Sequence, residues 1–343
     1  MKDIGGAKLD KKSTMDVMYA SDDNYAEIMG VSILSLLQSN RDVQKIRIFI
    51  IEDAISEENK SRLTNMVNEY ERDVIFIQKP DIRNNLGVEL KTLRWSDSAF
   101  SRLFLKELFA PYPDVHKLLY LDCDTLVVAD LQDLWNTDIS SYLGAACLEC
   151  MSNLHKKIIG AKKTDNYINT GMLLLNVDRC VKEDVQRQAS DFLKKYKGKV
   201  EYVDQGVING TVSNRFLLVD PRYNLTALAY DFTYGEMQIY RKPQFGYSEA
   251  EWNKAVSDPA VIHFTTSFLS VRPWYEGSHH PYAATWKQIH DQSPWENYPY
   301  RKMKNRESRD RKEQLFRKLP RRLAVRIAGV LHAYVKPIAY LFC

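Results

Sequence analysis

The sequence predicts an α/β fold built on a mostly parallel sheet, and three observations carry that expectation. Short apolar runs alternate along the chain with segments whose apolar residues recur at helical spacing. The 343-residue chain is 45% hydrophobic, enough for one large core or two modest ones, which excludes disorder throughout. The stretch Lys117-Leu-Leu-Tyr-Leu-Asp-Cys-Asp-Thr125 sets four consecutive apolar residues directly before two carboxylates, so charge collects where a buried strand runs out. In an open parallel sheet, the crevice beyond the carboxyl ends of the strands is where ligands sit.

Residues 1–14 read as a polar tail, and Met15–Ala20 as a first strand stopped by Ser21-Asp22-Asp23-Asn24. Tyr25–Leu37 then carries Ile28, Val31, Ile33, Leu34 and Leu37 on one helical face, with Asp and Asn just ahead as caps. Lys45–Ile51 makes a second strand, Ser56 caps a helix to about Tyr70, and Val74–Ile77 makes a third strand. A less regular stretch to Trp95 leads into a predicted helix over Ser98–Phe109, with Arg102 off the centre of its apolar face. After the central strand and its acidic end come strands over Leu143–Leu148 and Tyr167–Val177, then one long amphipathic helix over Asp178–Tyr196. Asp204-Gln205 opens a short helix, Phe216–Val219 is a strand, and Ala260–Phe264 is a late strand that includes His263.

No repeat or low-complexity linker divides the body, so residues 15–275 are expected to be one catalytic domain. Residues 276–343 form an aromatic, then basic segment. Residues 301–343 hold 13 Lys/Arg against 3 Asp/Glu, so the formal net charge of +4 is the sum of +10 in this tail and −6 elsewhere. Its mixture of Arg317, Lys318, Arg321, Arg322 and Arg326 with aliphatic and aromatic residues suits a helix lying in an anionic membrane interface; a solvated helix and a nucleic-acid patch are the other readings of such a run. The five cysteines form no paired framework, and Cys147-Leu-Glu-Cys150 is a lone C-x-x-C, which suits a reducing compartment. With no apolar core of signal-peptide length and no uncharged run of spanning length, the chain is expected on the cytosolic side.

Two carboxylates one residue apart repel each other, and a divalent cation is an economical reason to keep them together at the rim of a core. A solvated turn or helix cap is the plainer alternative. Asp122, Asp124 and His263 make a metal set of two oxygens and one imidazole nitrogen, which favours Mn²⁺ first and Mg²⁺ second. His263 alone would read as a core histidine.

Six blocks in order carry a resemblance: Ala20-Ser-Asp-Asp-Asn-Tyr25, Phe100-Ser-Arg-Leu103, Leu119-Tyr-Leu-Asp-Cys-Asp124, Asn169-Thr-Gly-Met-Leu-Leu-Leu-Asn176, Asp204-Gln205 with Asn209, and His263-Phe-Thr followed by Pro273-Trp274. Over residues 15–275 the chain resembles family 8 glycosyltransferases. That resemblance implies a GT-A fold, a UDP-sugar donor, Mn²⁺, and hexose transfer (galactose or glucose) with retention of configuration. It gives Ala20, Ser21, Asp22, Asn24 and Tyr25 to the uridine, with Tyr25 stacked on the base, and Arg102 to the donor sugar and diphosphate. Asp122, Cys123 and Asp124 form the metal motif, with His263 as third ligand. Asn169 and Asp204 become donor-sugar contacts, and Gln205 the polar group on the reacting face. Arg272 takes roughly the place of a phosphate-binding lysine, across a longer interval from His263 than in the galactosyltransferases. Glu149 replaces a sugar-binding Asp with a shift of one residue. The implied acceptor is a saccharide or lipid-linked saccharide in cell-surface polysaccharide synthesis, at the inner face of the membrane and with no nucleic acid partner.

Two other readings compete. Leu121-Asp-Cys-Asp-Thr-Leu looks like the start of a haloacid-dehalogenase-type phosphohydrolase, but Thr125 stands three residues after Asp122 where that pattern wants four. A non-catalytic sugar-nucleotide binder would share the site without turnover. P-loop and dinucleotide glycine motifs are missing from the sequence.

Overall fold

The computed structural model describes residues 14–90, 97–244, 246–304 and 306–342. Most of the polar tail and the end of the irregular stretch before Trp95 lie outside the described residues. Seven strands form the main sheet: β1 (Thr14–Asp22), β2 (Lys45–Asp53), β3 (Asp73–Gln78), β4 (Lys117–Leu121), β6 (Gly144–Leu148), β7 (Ile168–Asn176) and β8 (Phe216–Leu218), in the order β3-β2-β1-β4-β7-β6-β8. Neighbours pair in parallel except at β7, which is antiparallel to both β4 and β6. A small second sheet joins β5 (Thr125–Val127), β10 (Val261–His263) and β9 (Leu225–Thr226).

Both faces of the main sheet are covered, which is why its strands read as nearly unbroken apolar runs. Ile46, Ile48, Ile50, Leu119 and Leu121 point into one core, beneath the helix Ala26–Ser39, while Phe49, Ile51, Leu118 and Tyr120 point into the other. The two-residue period of the strand decides the side, and each such side chain contributes roughly 1.5–3 kcal/mol by leaving water. Trp286 and Trp295, from the aromatic segment, complete the first core. Trp295 lies so close to Gly30 that a Cβ there would sit 2.2 Å from the indole ring, so only glycine admits it.

The structure corrects two helices. Residues 98–109 do not form one helix: a 3₁₀ segment, Asp97–Leu103, precedes a short α-helix, Leu105–Phe109. The break lets Arg102 turn inward. The long helix expected over 178–196 is two, Val177–Lys182 and Val185–Lys195. Asp184 between them adopts a left-handed conformation (φ 49°), and its carboxylate accepts from the Arg187 N–H, so it starts a new helix rather than continuing the old one.

Downstream, the helices Tyr234–Arg241 and Glu249–Ser257 pack with Arg306–Lys318 and Arg321–Val330 around Phe232, Met237, Trp252, Phe316 and Val325. A π-helical turn, Leu331–Val335, and a last helix, Lys336–Phe342, follow. Among the described residues, no helix is long and apolar enough to cross a membrane.

Candidate metal and donor-sugar site

The end of β4 fixes the site. Asp122 leaves the strand with its N–H donated to Gly171 O (2.8 Å), and the chain then crosses into β5. There Thr125 pairs opposite His263 of β10, and the Phe264 N–H donates to Asp124 O (2.9 Å). This register carries an imidazole from far along the chain to the acidic turn. Gly171 on β7 makes room for it, since a Cβ there would lie 2.1 Å from His263 Cε1.

His263 Nε2 lies 3.2 Å from Asp124 Oδ1 and 3.6 Å from Asp122 Oδ2. One ligand atom from each of the three residues falls within 4.8 Å of the others, so two oxygens and a nitrogen converge as a divalent cation requires. The set therefore fits a metal. Arg272 closes the same cluster: its Nη2 is 2.9 Å from Asp124 Oδ2, and its Nη1 donates to Tyr25 Oη (3.3 Å). Burial alone would push the Asp124 carboxyl up, but Arg272 and His263 outweigh it and hold the group below its usual range. Burial likewise opposes charge on His263, and the Asp124 and Asp122 carboxylates reverse that, raising its pKa.

Arg102, read from the sequence as lying off the centre of the apolar face, is buried at the centre of the site. Its guanidinium donates to Thr170 O (2.5 Å), Tyr120 Oη (2.6 Å), Asp122 Oδ1 (2.8 Å) and Ala99 O (3.1 Å). Its Nε also lies 3.2 Å from Asp204 Oδ2, and its plane covers the Tyr120 ring at 3.8 Å. Asp204, on the helix Val203–Thr211, is pushed up to about 6 by burial, with Arg102 offsetting only part of the penalty. Gln205 follows it and accepts from the Thr170 N–H (3.2 Å). Tyr202 and Val203, just before them, both have positive φ (60° and 54°), which turns the start of this helix toward β7.

Asn169 Nδ2 donates to Glu149 Oε2 (2.7 Å), and Glu149 Oε1 lies 3.4 Å from Arg241 Nη2. Just before Glu149, the pairing of β6 with β7 shifts register between Ala146 and Leu148. In the Ala20–Tyr25 turn, Asp22 caps the 3₁₀ segment Asp23–Tyr25 by accepting from the Tyr25 N–H (3.1 Å). The Ser21 hydroxyl donates to Asp22 O (2.9 Å), and Cys123 Sγ to Ala20 O (3.2 Å). Asn24 offers its carbonyl to Arg301 (2.7 Å), whose guanidinium also faces the Tyr25 ring. The structure thus groups Asp122, Asp124, His263, Arg272 and Tyr25 at one end, and Arg102, Asp204, Gln205, Asn169 and Glu149 at the other, with Arg102 joining them. Sequence reasoning missed Tyr120, Arg301 and Asn224. Tyr120 carried a signal as the one polar-tipped residue within the apolar run Leu118–Leu121; Asn224, in a 3₁₀ turn, carried none.

A doubly covered, mostly parallel sheet with an Asp-x-Asp turn and a distant histidine at its rim is a GT-A type of fold. The profile of glycosyl transferase family 8 matches residues 16–277, and the chain belongs to that family. A Haemophilus influenzae relative is 30% identical over 62% of this chain and 64% of its own length. A lipopolysaccharide 1,2-glucosyltransferase of Escherichia coli is 25% identical over 90% of this chain and 87% of its own. Among solved structures, the galactosyltransferase LgtC with donor and acceptor sugar analogs superposes with a TM-score of 0.67 at 24% identity, covering 82% of this chain and 96% of that one.

Proposed function

We propose that the protein transfers a hexose, galactose or glucose, from a UDP-sugar to a saccharide or lipid-linked saccharide acceptor, with retention of configuration, in the synthesis of a cell-surface polysaccharide or lipopolysaccharide. The observation that carries this reading is the convergence of Asp122, Asp124 and His263 beside Arg102, Arg272 and the Asp204–Gln205 pair. The relatives named above, a glucosyltransferase and a galactosyltransferase, support the choice of sugars.

Asp122, Asp124 and His263 would hold Mn²⁺, or Mg²⁺ in its place, and the cation would offset charge on a departing diphosphate. Arg272 adds a second positive group to that end once a phosphate displaces Asp124 from it. The Ala20–Tyr25 turn would take the uridine, with Tyr25 against the base. Asn169, Asp204 and Glu149 would contact the donor sugar. Glycosyl transfer develops oxocarbenium character as the leaving group departs, so the first requirement is to stabilise the diphosphate. A double displacement would need a free carboxylate at the anomeric carbon. Asp204 is engaged by Arg102 and Thr170, and Glu149 by Asn169 and Arg241. These contacts support front-face transfer: the acceptor oxygen forms the new bond on the side from which the diphosphate leaves, and a diphosphate oxygen takes its proton. A sugar trapped on Asp204 or Glu149, seen by mass spectrometry in a protein whose Gln205→Ala form is dead, would overturn it.

The exposed row on the tail supports a membrane-surface site, which we propose lies at the inner face. Leu323, Ile327, Val330, Tyr334, Ile338 and Leu341 are each 43–57% exposed and recur at helical spacing, flanked by basic residues. The test of the activity is Mn²⁺-dependent UDP release across a set of UDP-sugars. Release from UDP-galactose or UDP-glucose that stops in chelator is the expected result. Phosphate release from p-nitrophenyl phosphate with no UDP release would overturn it.

A further inference from the structure

We infer that Asn224 is a positioning residue that fixes which nitrogen of His263 faces the cation; this rests on the reading of the site as a metal centre. Four side chains form a buried line from the sugar end to the metal end: Glu149, Asn169, Asn224 and His263, each no more than 9% exposed. The links are Asn169 to Glu149 (2.7 Å), Asn224 to Asn169 (2.8 Å) and His263 to Asn224 (2.9 Å). Water cannot stand in for any of them at this burial without being enclosed.

The direction of every link follows from its neighbours. Asn169 Oδ1 receives the Gly171 backbone N–H at 2.9 Å, and a backbone N–H can only donate. Asn169 must therefore turn its amide nitrogen to Glu149, which the carboxylate can accept. The same Oδ1 also faces Asn224, so Asn224 presents its Nδ2 there and is left with Oδ1 toward His263 Nδ1. An amide oxygen accepts and cannot donate, so Nδ1 must carry the hydrogen. The lone pair of the neutral ring then lies on Nε2, the atom that points at Asp124 and Asp122. A metal ligand whose other nitrogen is hydrogen-bonded is held in both tautomer and ring orientation.

Asn224 is itself held rigidly. It ends the 3₁₀ turn Pro221–Asn224, whose entry is capped by Asp220, and β9 follows it at once to pair with β10, setting Thr226 opposite His263. The line also joins two functions that look separate in the sequence. Asn169, read as a donor-sugar contact, and His263, read as a metal ligand, share one chain of oriented amides.

The test measures Mn²⁺ binding to the full-length protein by electron paramagnetic resonance, without substrate, so that turnover plays no part. Asn224→Leu keeps the volume but removes the acceptor; affinity should fall by about 10- to 100-fold. Asn224→Asp restores an acceptor for Nδ1–H but gives up the donation to Asn169 Oδ1, so affinity should recover by about threefold or more over Asn224→Leu without reaching that of the unsubstituted protein. Circular dichroism melting of both variants checks that they fold. Asn224→Leu binding Mn²⁺ as tightly as the unsubstituted chain would overturn the inference while leaving the metal site standing. Asn224→Asp as weak as Asn224→Leu would also overturn it, since a mere packing role predicts no rescue. No Mn²⁺ uptake by the unsubstituted protein would overturn both readings.

Discussion

The rim of the main sheet and the C-terminal arm are both rich in charge, yet they handle it in opposite ways. At the rim, Arg102 is buried and Arg272 keeps 17% of its side chain exposed, each touches a carboxylate within 3 Å, and His263 faces two. On the arm, Arg322, Arg326 and Lys336 are exposed, and apolar side chains such as Leu331 and Phe342 (85% exposed) face solvent beside them. A charge held out of water demands partners, and keeping several there signals a ligand that will repartner them. An exposed apolar row between exposed cations demands nothing of the fold, which points to a surface outside the molecule.

Four experiments would break or sharpen this contrast. The largest effect is expected at the acidic turn: Asp124→Asn should lower Mn²⁺-dependent transfer by about a thousandfold or more, about 4 kcal/mol of barrier, in a UDP-release assay. Retention of even a tenth of the activity would mean that the buried charges serve structure alone. Next, Arg102→Met leaves Asp122 and Asp204 without their shared cation. Urea unfolding of the metal-free protein should show a loss of about 3–5 kcal/mol.

A third effect concerns a buried ionisable group outside the rim. His280 packs edge-on against Phe264 and Tyr230, its Nδ1 accepts the Tyr282 N–H (3.1 Å), and burial drives its pKa down to about 4. A depressed histidine contributes stability that is fully present above its unfolded pKa of 6.5 and is lost as pH falls toward 4. Between those pH values the native protein should lose on the order of 3 kcal/mol more than His280→Phe in matched urea titrations. Parallel pH profiles would show that a buried ring can be charged here without partners.

The smallest effect belongs to the arm. Replacing Leu331, Ile338 and Phe342 together by Ser should weaken binding to anionic vesicles by about tenfold or more and leave UDP release within about twofold. Vesicle binding should also fall steeply with salt, because each Lys or Arg near an anionic surface adds about 1 kcal/mol that a short Debye length removes. Unchanged vesicle binding would remove the membrane reading and leave a solvated helix.

Much of this was legible in the chain. The alternation of strands and helices appeared because the central strands are buried on both faces, and Ser56 announced its helix by a short-range hydrogen bond to the Asn59 N–H. The acidic turn was legible because only Cys123 separates its two carboxylates in sequence. Arg102 was named by the family resemblance, but its burial was not legible, since the helix pattern around it gave no sign of the break at Phe104 that turns it inward. The split at Asp184 was hidden for a similar reason: a left-handed residue with a capping side chain leaves the apolar periodicity on either side intact.

By itself, then, the sequence determined the elements, their order and the acidic pair, because propensity, periodicity and caps act over a few residues. Only the tertiary structure decided that His263 meets that pair, that Arg102 lies between Asp122 and Asp204, and that Asn224 orients the histidine. Those contacts span 20 to 141 positions along the chain and depend on strand register and on which face a side chain takes, quantities set by the packing of the whole sheet.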